Sequence, residues 1–318
     1  MRFNTRLVEY RVAQGSIIGP LLFLIYVNDF SNCITSGNTI MYADDTNVFL
    51  RNSCFDVLYK EGNKQLSNIE NWLSANKLTP NTKKTFYMTF RTPKSKPPPT
   101  SLTLTFKNSI ISRKSETNFL GVVFHEHLTW KPHIDLIRQK INSSLCVVKK
   151  ISFYLDTKLL HMLYHSLILS HIRYCITTWC NGQKTALLKI QRIANKFIRM
   201  TFGLDYRDNV KDIMHKHNLM TVEQIHQLET ACFMYKYTNQ MLPLCFKGFL
   251  QSTFIDQTTK RNTRSNSTYH PSFCRLNLTK QRFKHKGTIC WNNLPIHIRD
   301  LNTFKKFRRS LTHHLLLT

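Results

Sequence analysis

Two neighbouring aspartates, Asp44 and Asp45, lie within the apolar stretch TIMYADDTNVFL (residues 39–50). The flanking residues favour β-strands, so the pair is expected at the turn of a hairpin. Adjacent carboxylates repel each other. A hard divalent cation, Mg²⁺ or Mn²⁺, relieves this repulsion because it binds carboxylate oxygens and leaves positions for substrate phosphates. The sequence predicts a metal-binding platform here; a solvated turn is the alternative role of an Asp-Asp pair.

Up to about residue 130, the sequence predicts a mixture of helices and strands, and these elements would hold the turn in place. Residues 13–30 begin with a glycine-containing loop and continue as an apolar helix, and residues 54–75 also have helical spacing. Residues 84–90 alternate like a strand. Beyond a basic, proline-rich break, residues 101–106 and 116–124 are further strand candidates joined by a polar turn.

The rest of the chain is predicted to be mainly helical. Four segments have apolar residues at three- and four-residue spacing: 133–152, 157–173, 184–201 and 221–239. The periodicity is lost from Pro243 and returns as an amphipathic helix over residues 290–316. The fold class is therefore α+β, with a domain boundary expected near residue 130.

The chain is strongly basic. Of its 318 residues, 45 are Lys or Arg and 18 are Asp or Glu, which gives a net charge of 45 − 18 = +27. This excess favours a polyphosphate partner, that is, nucleic acid. Between Asp256 and Asp300 there is no acidic residue, and nine residues are Lys or Arg. A solvated basic loop is the alternative to a nucleic-acid-binding surface, whose candidate residues are Lys260, Arg261, Arg264, Arg275, Lys280, Arg282, Lys284 and Lys286.

The nine cysteines and the amino-terminal residues indicate where the protein resides. No cysteine pair has the spacing of a zinc finger, so reduced thiols are expected. The first residues lack the apolar core of a secretory signal, and the apolar run of residues 17–27 is too short to span a bilayer. We therefore expect a cytoplasmic or nuclear protein that is not secreted and has no membrane partner.

Four sequence motifs, in order, resemble those of the reverse transcriptases of non-LTR (LINE-type) retrotransposons. AQGSIIGPLLFLIYVNDF resembles motif B, YADDT resembles the catalytic motif C, and WLSANKLTPNTKKTFYMTF resembles motif D. NFLGVVFHEHLTWKPHI resembles the primer grip, and LLKIQRIANKFIRM and CWNNLPIHIRDLNTFKKFRRSL resemble stretches downstream of the polymerase. The resemblance implies Mg²⁺-dependent, RNA-directed DNA synthesis with an RNA template, a DNA primer and deoxynucleoside triphosphates.

The resemblance also implies a role for each matching residue. Asp44 is the principal metal ligand and Asp45 has a lesser or second-metal role. Lys84 is similar to the motif D lysine that protonates the departing pyrophosphate, unless it is a lysine solvated at a strand start. The residues implied in template and nucleotide binding are Gln14, Gly15 and Tyr42. The residues implied in the primer grip, for which core and turn positions are the alternative, are Phe119, Leu120 and Gly121.

The resemblance also divides the chain into parts. Residues 1–128 correspond to the carboxy-terminal half of a polymerase palm, 129–242 to a helical thumb-like region and 243–318 to a basic region. Motif A, the source of a further metal-binding aspartate, lies upstream of motif B in the family, and only thirteen residues precede Gln14.

We therefore expect a chain that is inactive alone, with the missing amino-terminal half in another polypeptide. A catalytically dead, basic RNA- or DNA-binding remnant is the alternative, and an unexpressed product of a degenerate element is a third.

Overall fold

The computed structural model describes residues 15–180, 184–205, 207–250, 269, 271, 277–280 and 282–317. The chain divides into two compact units, Met1–Glu116 and Thr117–Thr318. Mixed helices and small sheets agree with the predicted α+β class, since the described strands form four two-stranded sheets.

The first unit contains two helices, a 3₁₀ turn and six short strands. In chain order these elements are α1 (Gly19–Tyr26), the 3₁₀ turn Phe30–Cys33, β1 (Asn38–Tyr42), β2 (Asp45–Phe49), α2 (Phe55–Ala75), β3 (Phe86–Tyr87), β4 (Thr105–Phe106), β5 (Ser109–Ile110) and β6 (Ser112–Arg113). The described sheets of this unit are β1–β2, β3–β6 and β4–β5, and only β3–β6 is parallel.

The second unit is mainly helical. It contains most of β7 (Glu116–Phe119), β8 (Val122–His125), the 3₁₀ turns Ser152–Tyr154 and Leu244–Phe246, and the π-helix Tyr164–Leu169. Its α-helices are α3 (Lys131–Ile151), α4 (Thr157–Leu163), α5 (Ser170–Arg173), α6 (Ile176–Trp179), α7 (Lys184–Thr201), α8 (Val210–Lys216), α9 (Val222–Thr238), α10 (Asn277–Lys280), α11 (Phe283–Asn292), α12 (Ile296–Arg299) and α13 (Phe304–Leu317).

Three local predictions were wrong. The polar turn after residue 106 joins β4 to β5 rather than to the segment 116–124, because Lys107 and Asn108 both have positive φ, as a tight hairpin turn requires. The strand predicted over residues 84–90 is shorter than expected, because only the two residues of β3 form it. The single carboxy-terminal helix is broken into α11, α12 and α13, and Pro295, which lacks the N–H that a continuous helix would need, separates α11 from α12.

Two clusters of buried apolar side chains form the core of the second unit. The first cluster joins α3 to α7 and includes Ile141 and Phe197, neither of which is exposed to solvent. The second joins α9, α11 and α13, and in it Tyr235 stacks on Phe307 at 4.3 Å between ring centroids. Helix α9 contributes to both clusters, since its first turn supplies Val222 to the first and its later turns supply Tyr235 to the second.

A charged contact connects three helices around α9. The Oε1 atom of Glu229 accepts hydrogen bonds from Arg173 Nη2 at 2.7 Å and from Arg308 Nη2 at 3.2 Å. Arg173 belongs to α5 and Arg308 to α13. One partly buried carboxylate therefore joins two guanidinium groups, one from α5 and one from α13, through charge-assisted hydrogen bonds.

Gly37 occupies a position before β1 that a side chain cannot enter. Its φ is +100°, and an added Cβ would collide with the carbonyl oxygen of Phe49 and lie 2.7 Å from Leu50 Cδ2. Gly15 has a similar φ of +85°, but no atom lies within 4 Å of its Cβ position. The end of β2 therefore packs directly on the backbone that enters β1.

We expect Gly37→Ala to destabilise the β1–β2 hairpin by about 2 kcal/mol, because it combines backbone strain with a collision. Gly15→Ala is the matched control, since it adds the strain without the collision, and its cost is expected to be about 1 kcal/mol or less. Differential scanning calorimetry compares both variants with the parent chain. Equal losses in the two variants would contradict the contact between Gly37 and the end of β2.

Two buried histidines make stability depend on pH. His133 is 2% exposed, accepts a hydrogen bond at Nδ1 from the Val123 N–H at 3.2 Å, and lies edge-on to Trp179. Burial, assisted by Lys140, lowers its pKa to about 4. Burial next to Lys286 likewise lowers the pKa of His226 to about 4. Both imidazoles are therefore neutral in the folded chain near neutral pH.

We expect the free energy of unfolding to fall as the pH falls from about 6.5 toward 4. In this window the unfolded histidines bind protons and the folded ones do not, so each contributes at most about 1.4 kcal/mol per pH unit. Urea unfolding at pH 7, 6 and 5 measures the slope. His133→Asn, which retains an acceptor for Val123, should reduce the slope of the unfolding free energy against pH. His313→Asn, on the exposed face of α13, should leave this slope unchanged. A stability that rises on acidification contradicts the assignment.

Candidate active site

The two predicted aspartates lie at the tip of the β1–β2 hairpin. The strands pair in antiparallel register, with Asn38 opposite Phe49 and Tyr42 opposite Asp45, so Ala43 and Asp44 form the two-residue connection. Asp44 is thus in the turn and Asp45 is the first residue of β2. The predicted hairpin is confirmed, with the carboxylates at its end.

The connection is held in an uncommon backbone conformation. Ala43 has a φ of +51°, in the left-handed region that disfavours any residue with a Cβ. Short hairpin loops need positive φ because only then does their twist match that of the two strands. The five residue pairs of the ladder hold the turn against this strain. The carboxylates are therefore presented by a rigid local element.

Asp44, Asp45 and Tyr42 are all exposed to solvent. Neither carboxylate forms an ion pair or a hydrogen bond with any residue that the structure describes. Nor does the described part of the chain contain a cluster of three or more His, Cys, Asp or Glu that would hold a metal ion. The site thus offers two carboxylates to a cation, which suits Mg²⁺ because that ion takes its other ligands from water and substrate phosphates.

Lys84 ends a turn just before β3. Its N–H donates to the carbonyl oxygen of Asn81 at 3.0 Å, and the residue is exposed. Its backbone is therefore fixed while its charge is in solvent. This position is compatible both with the implied proton-donating role and with a lysine at a strand start.

Helix α1 follows the predicted template-binding loop. Gly15 is in a turn with positive φ, Ser16 Oγ accepts from the Gly19 N–H at 2.9 Å, and Gln14 lies outside the described residues. Pro20 is in the first turn, as its missing N–H allows. No residue of α1 is buried, although its sequence GPLLFLIY is almost wholly apolar.

The residues implied in the primer grip form a second tight hairpin, in the second unit. Leu120 and Gly121 connect β7 to β8, and both have positive φ. The hydroxyl of Tyr174 donates to the carbonyl oxygen of Leu120 at 2.6 Å, and its ring lies 3.3 Å from the Cβ position of Gly121. Phe119 contacts Phe124, with ring centroids 6.5 Å apart. These contacts position the hairpin but do not test its role.

The predicted basic residues are only partly described. Lys260, Arg261, Arg264 and Arg275 lie outside the described residues. The other four are in or beside the helices near the carboxy terminus. Lys280 is at the end of α10, and Arg282 is next to α11. Within α11, Lys284 Nζ lies 4.9 Å from the centroid of the Phe249 ring, and Lys286 is beside the buried His226.

The structure also reveals cationic faces that the sequence analysis missed. Lys189, Arg192 and Lys196 are exposed on one side of α7, while Ile190 and Phe197 are fully buried on the other. The three cations span about 10 Å along the helix axis. They form no ion pair with the residues described. Residues three and four positions apart lie on the same side of a helix, so this spacing is the signal by which the sequence could have identified the cationic face.

Helix α13 presents a similar face. Its exposed cations are Lys305, Lys306 and Arg309, and Phe307 and Leu311 fill the buried side. Neither α7 nor α13 contains an acidic residue. The solvent sides of α7 and α13 are thus cationic, and their opposite sides are in the core.

None of the helices in the described part of the chain combines the length and the apolarity that a bilayer span requires. The cysteines that are described are free, and burial raises the pKa of the Cys180 and Cys232 thiols to about 12. These two thiols are therefore protonated and unreactive near neutral pH.

Comparison with known proteins places the hairpin in a family context. Residues 2–124 match the family model for reverse transcriptase (RNA-dependent DNA polymerase). The chain is 25% identical to the RNA-directed DNA polymerase from mobile element jockey of Drosophila funebris, an alignment that covers 67% of this chain and 24% of that protein. It is 23% identical to the probable RNA-directed DNA polymerase from transposon X-element of Drosophila melanogaster, over 65% of this chain and 24% of the relative.

A third relative, the probable RNA-directed DNA polymerase from transposon BS of Drosophila melanogaster, is 23% identical over 69% of this chain and 25% of its own length. The chain thus spans about a quarter of the length of the curated relatives it matches. No solved structure matches it significantly. The matched residues include the whole β1–β2 hairpin with its two aspartates. Residues 2–124 of the chain are therefore similar to reverse transcriptases, and the relatives to which the chain aligns are RNA-directed DNA polymerases of mobile elements.

Proposed function

We propose that the β1–β2 hairpin is the metal-binding element of an RNA-directed DNA polymerase, in which a primer 3′-OH attacks a deoxynucleoside triphosphate on an RNA template. The observation that carries this proposal is the pair Asp44 and Asp45, exposed at a rigid two-residue turn inside the segment that matches the family. The protein would act in the cytoplasm or the nucleus.

The carboxylates of Asp44 and Asp45 would hold Mg²⁺ or Mn²⁺ at the hairpin tip. When bound, such a cation activates the attacking hydroxyl and neutralises charge on the phosphates of the incoming nucleotide. Tyr42, next to the turn, would lie against the primer terminus. Lys84 would donate a proton to the departing pyrophosphate. Gln14 and Gly15 would contact the template and the nascent base pair, and the turn at Leu120 and Gly121 would position the primer.

We further propose that this chain needs a separate or preceding polypeptide segment for catalysis. Two carboxylates are fewer than the three that the family resemblance implies, and loss of one ligand slows such chemistry about a thousandfold or more. The exposure of α1 from Pro20 to Tyr26 supports this proposal, because an apolar helix is normally covered. The partner would bring the third carboxylate and cover α1.

We expect the chain to bind Mn²⁺ at the hairpin, measured by electron paramagnetic resonance on the chain with Mn²⁺ alone. Asp44→Ala/Asp45→Ala should abolish this binding, because no other carboxylate of the turn remains. Asp29→Ala, which removes an exposed acid outside the hairpin, should leave it unchanged. Retained Mn²⁺ binding in the double variant would contradict the proposed site.

Primer extension on an RNA template separates the two parts of the proposal. No extension is expected from the chain alone. Extension by the parent chain that the double aspartate variant lacks would support the metal site and overturn the need for a partner. Equal extension by both chains would overturn the role of Asp44 and Asp45.

A second candidate function is sequence-independent binding of RNA or DNA without catalysis. The cationic face of α7 favours it, because three unpaired cations in about 10 Å match the repeat of phosphates along a strand. The cationic face of α13 adds three more exposed cations. This function would not depend on Asp44 or Asp45.

We expect Lys189→Gln/Arg192→Gln/Lys196→Gln to weaken duplex binding at least about tenfold and to lower the slope of log K against log salt by about 2.7. Glutamine retains helix propensity, so α7 should persist. Lys60→Gln/Lys140→Gln/Lys216→Gln removes the same charge from exposed positions on α2, α3 and α8 and is the matched control. Fluorescence anisotropy at several salt concentrations gives both quantities. Equal effects of the two variants would mean that net charge, rather than the α7 face, governs binding.

A further inference from the structure

Two adjacent aromatic side chains in the second unit are almost fully exposed. Phe153 and Tyr154 lie in the 3₁₀ turn after α3, and 91% and 82% of their surfaces are accessible to solvent. Their ring centroids are 5.6 Å apart, and the ring planes are nearly perpendicular, at 88°. Single exposed apolar residues are ordinary, but a pair of large rings at such exposure is a feature of binding surfaces.

The turn that carries these rings is well anchored. Ser152 Oγ donates to the carbonyl oxygen of Lys149 at 3.0 Å, and Leu155, the next residue after the rings, packs against the first core cluster. The side chain of Asp156 then caps α4 by accepting from the Leu159 N–H at 2.7 Å. The rings therefore project from a short connection whose two ends are held by helices.

Cations surround the pair. Lys149 and Lys150 are exposed in the last turn of α3, and Lys158 is exposed in the first turn of α4. The one acid in this stretch is Asp156, whose carboxylate is used by the cap. Rings flanked by cations suit a ligand that has both flat apolar faces and negative charge, which describes an unpaired stretch of nucleic acid.

We infer that Phe153 and Tyr154 form a stacking platform for unpaired bases, with Lys149, Lys150 and Lys158 contacting the adjoining phosphates. Because the two planes are perpendicular, each ring offers its own face to a different base. Every base has such a face, so the contact is independent of sequence, and bases paired within a duplex cannot reach it. The inference rests on the proposed nucleic-acid function and adds a site outside residues 2–124 that selects single strands.

The test is the affinity of the full chain for a fluorescent oligouridine and for a duplex of equal length, measured by anisotropy. Phe153→Ala/Tyr154→Ala should weaken oligouridine binding at least about tenfold, leave the salt slope unchanged and leave duplex binding unchanged. Met241→Ala/Leu244→Ala, which removes two other exposed apolar side chains beyond α9 (55% and 85% exposed), should have less than about a twofold effect.

The lysines have a different expected effect. Lys149→Gln/Lys150→Gln should lower the salt slope for oligouridine by about 1.4, since each contact to a single strand contributes about 0.7. Circular dichroism of each variant must match that of the parent chain, because both rings are outside the core and their removal should not alter the fold.

Three results would overturn the inference. Unchanged oligouridine affinity in the aromatic variant would exclude stacking, and equal losses for oligouridine and duplex would assign the effect to something other than unpaired bases. Binding of the parent chain, but not of the aromatic variant, to vesicles of phosphatidylcholine and phosphatidylserine would assign the rings to a lipid surface. Mn²⁺ binding at the hairpin tests the proposed catalytic site separately, because Asp44→Ala/Asp45→Ala leaves the platform intact.

Discussion

The second unit depends on the burial of helix α9 on nearly all sides. Eight of its 17 residues are buried, and they face in several directions rather than along one stripe. Its first turn completes the cluster of α3 and α7, and its later turns complete the cluster of α11 and α13. Glu229 adds a polar connection on this helix, because its carboxylate binds one arginine from α5 and one from α13. Since α7 and α13 each bury one side near α9, their cationic residues are directed to solvent.

The first unit is held together differently, because no large apolar cluster joins its described residues. Its order is local: hairpin turns with positive φ, and short contacts such as the one between Gly37 and the end of β2. This suffices to present Asp44 and Asp45 rigidly, since a five-pair ladder is closed by a two-residue connection. It does not cover α1, whose apolar side chains remain exposed. The hairpin with the two aspartates is therefore well formed, while the helix before it has a surface typical of an interface.

The second unit has two kinds of cationic surface, one without exposed aromatic rings and one with them. The α7 and α13 faces contain cations without large exposed rings, which suits the backbone of a nucleic acid, whereas the turn after α3 combines cations with Phe153 and Tyr154. Backbone contacts hold any strand, and rings hold only bases that are free to stack. The two kinds of surface thus suit two kinds of ligand, the backbone of a duplex and an unpaired strand.

The sequence by itself determined the four helical segments between residues 133 and 239 that have clear apolar periodicity, the β1–β2 hairpin and the identity of its two aspartates. Apolar periodicity and the YADD motif are local signals, and each needs only neighbouring residues to be interpreted. The tertiary structure decided the partners of the short strands, the separation of α11, α12 and α13, and the exposure of Phe153 and Tyr154. Two-residue strands carry almost no pattern, so the pairing of β4 with β5 follows from turn geometry at Lys107 and Asn108. Exposure depends on which neighbours arrive from distant parts of the chain: Leu155 and Tyr154 are adjacent and both apolar in character, yet only Leu155 meets the core formed by α3 and α7.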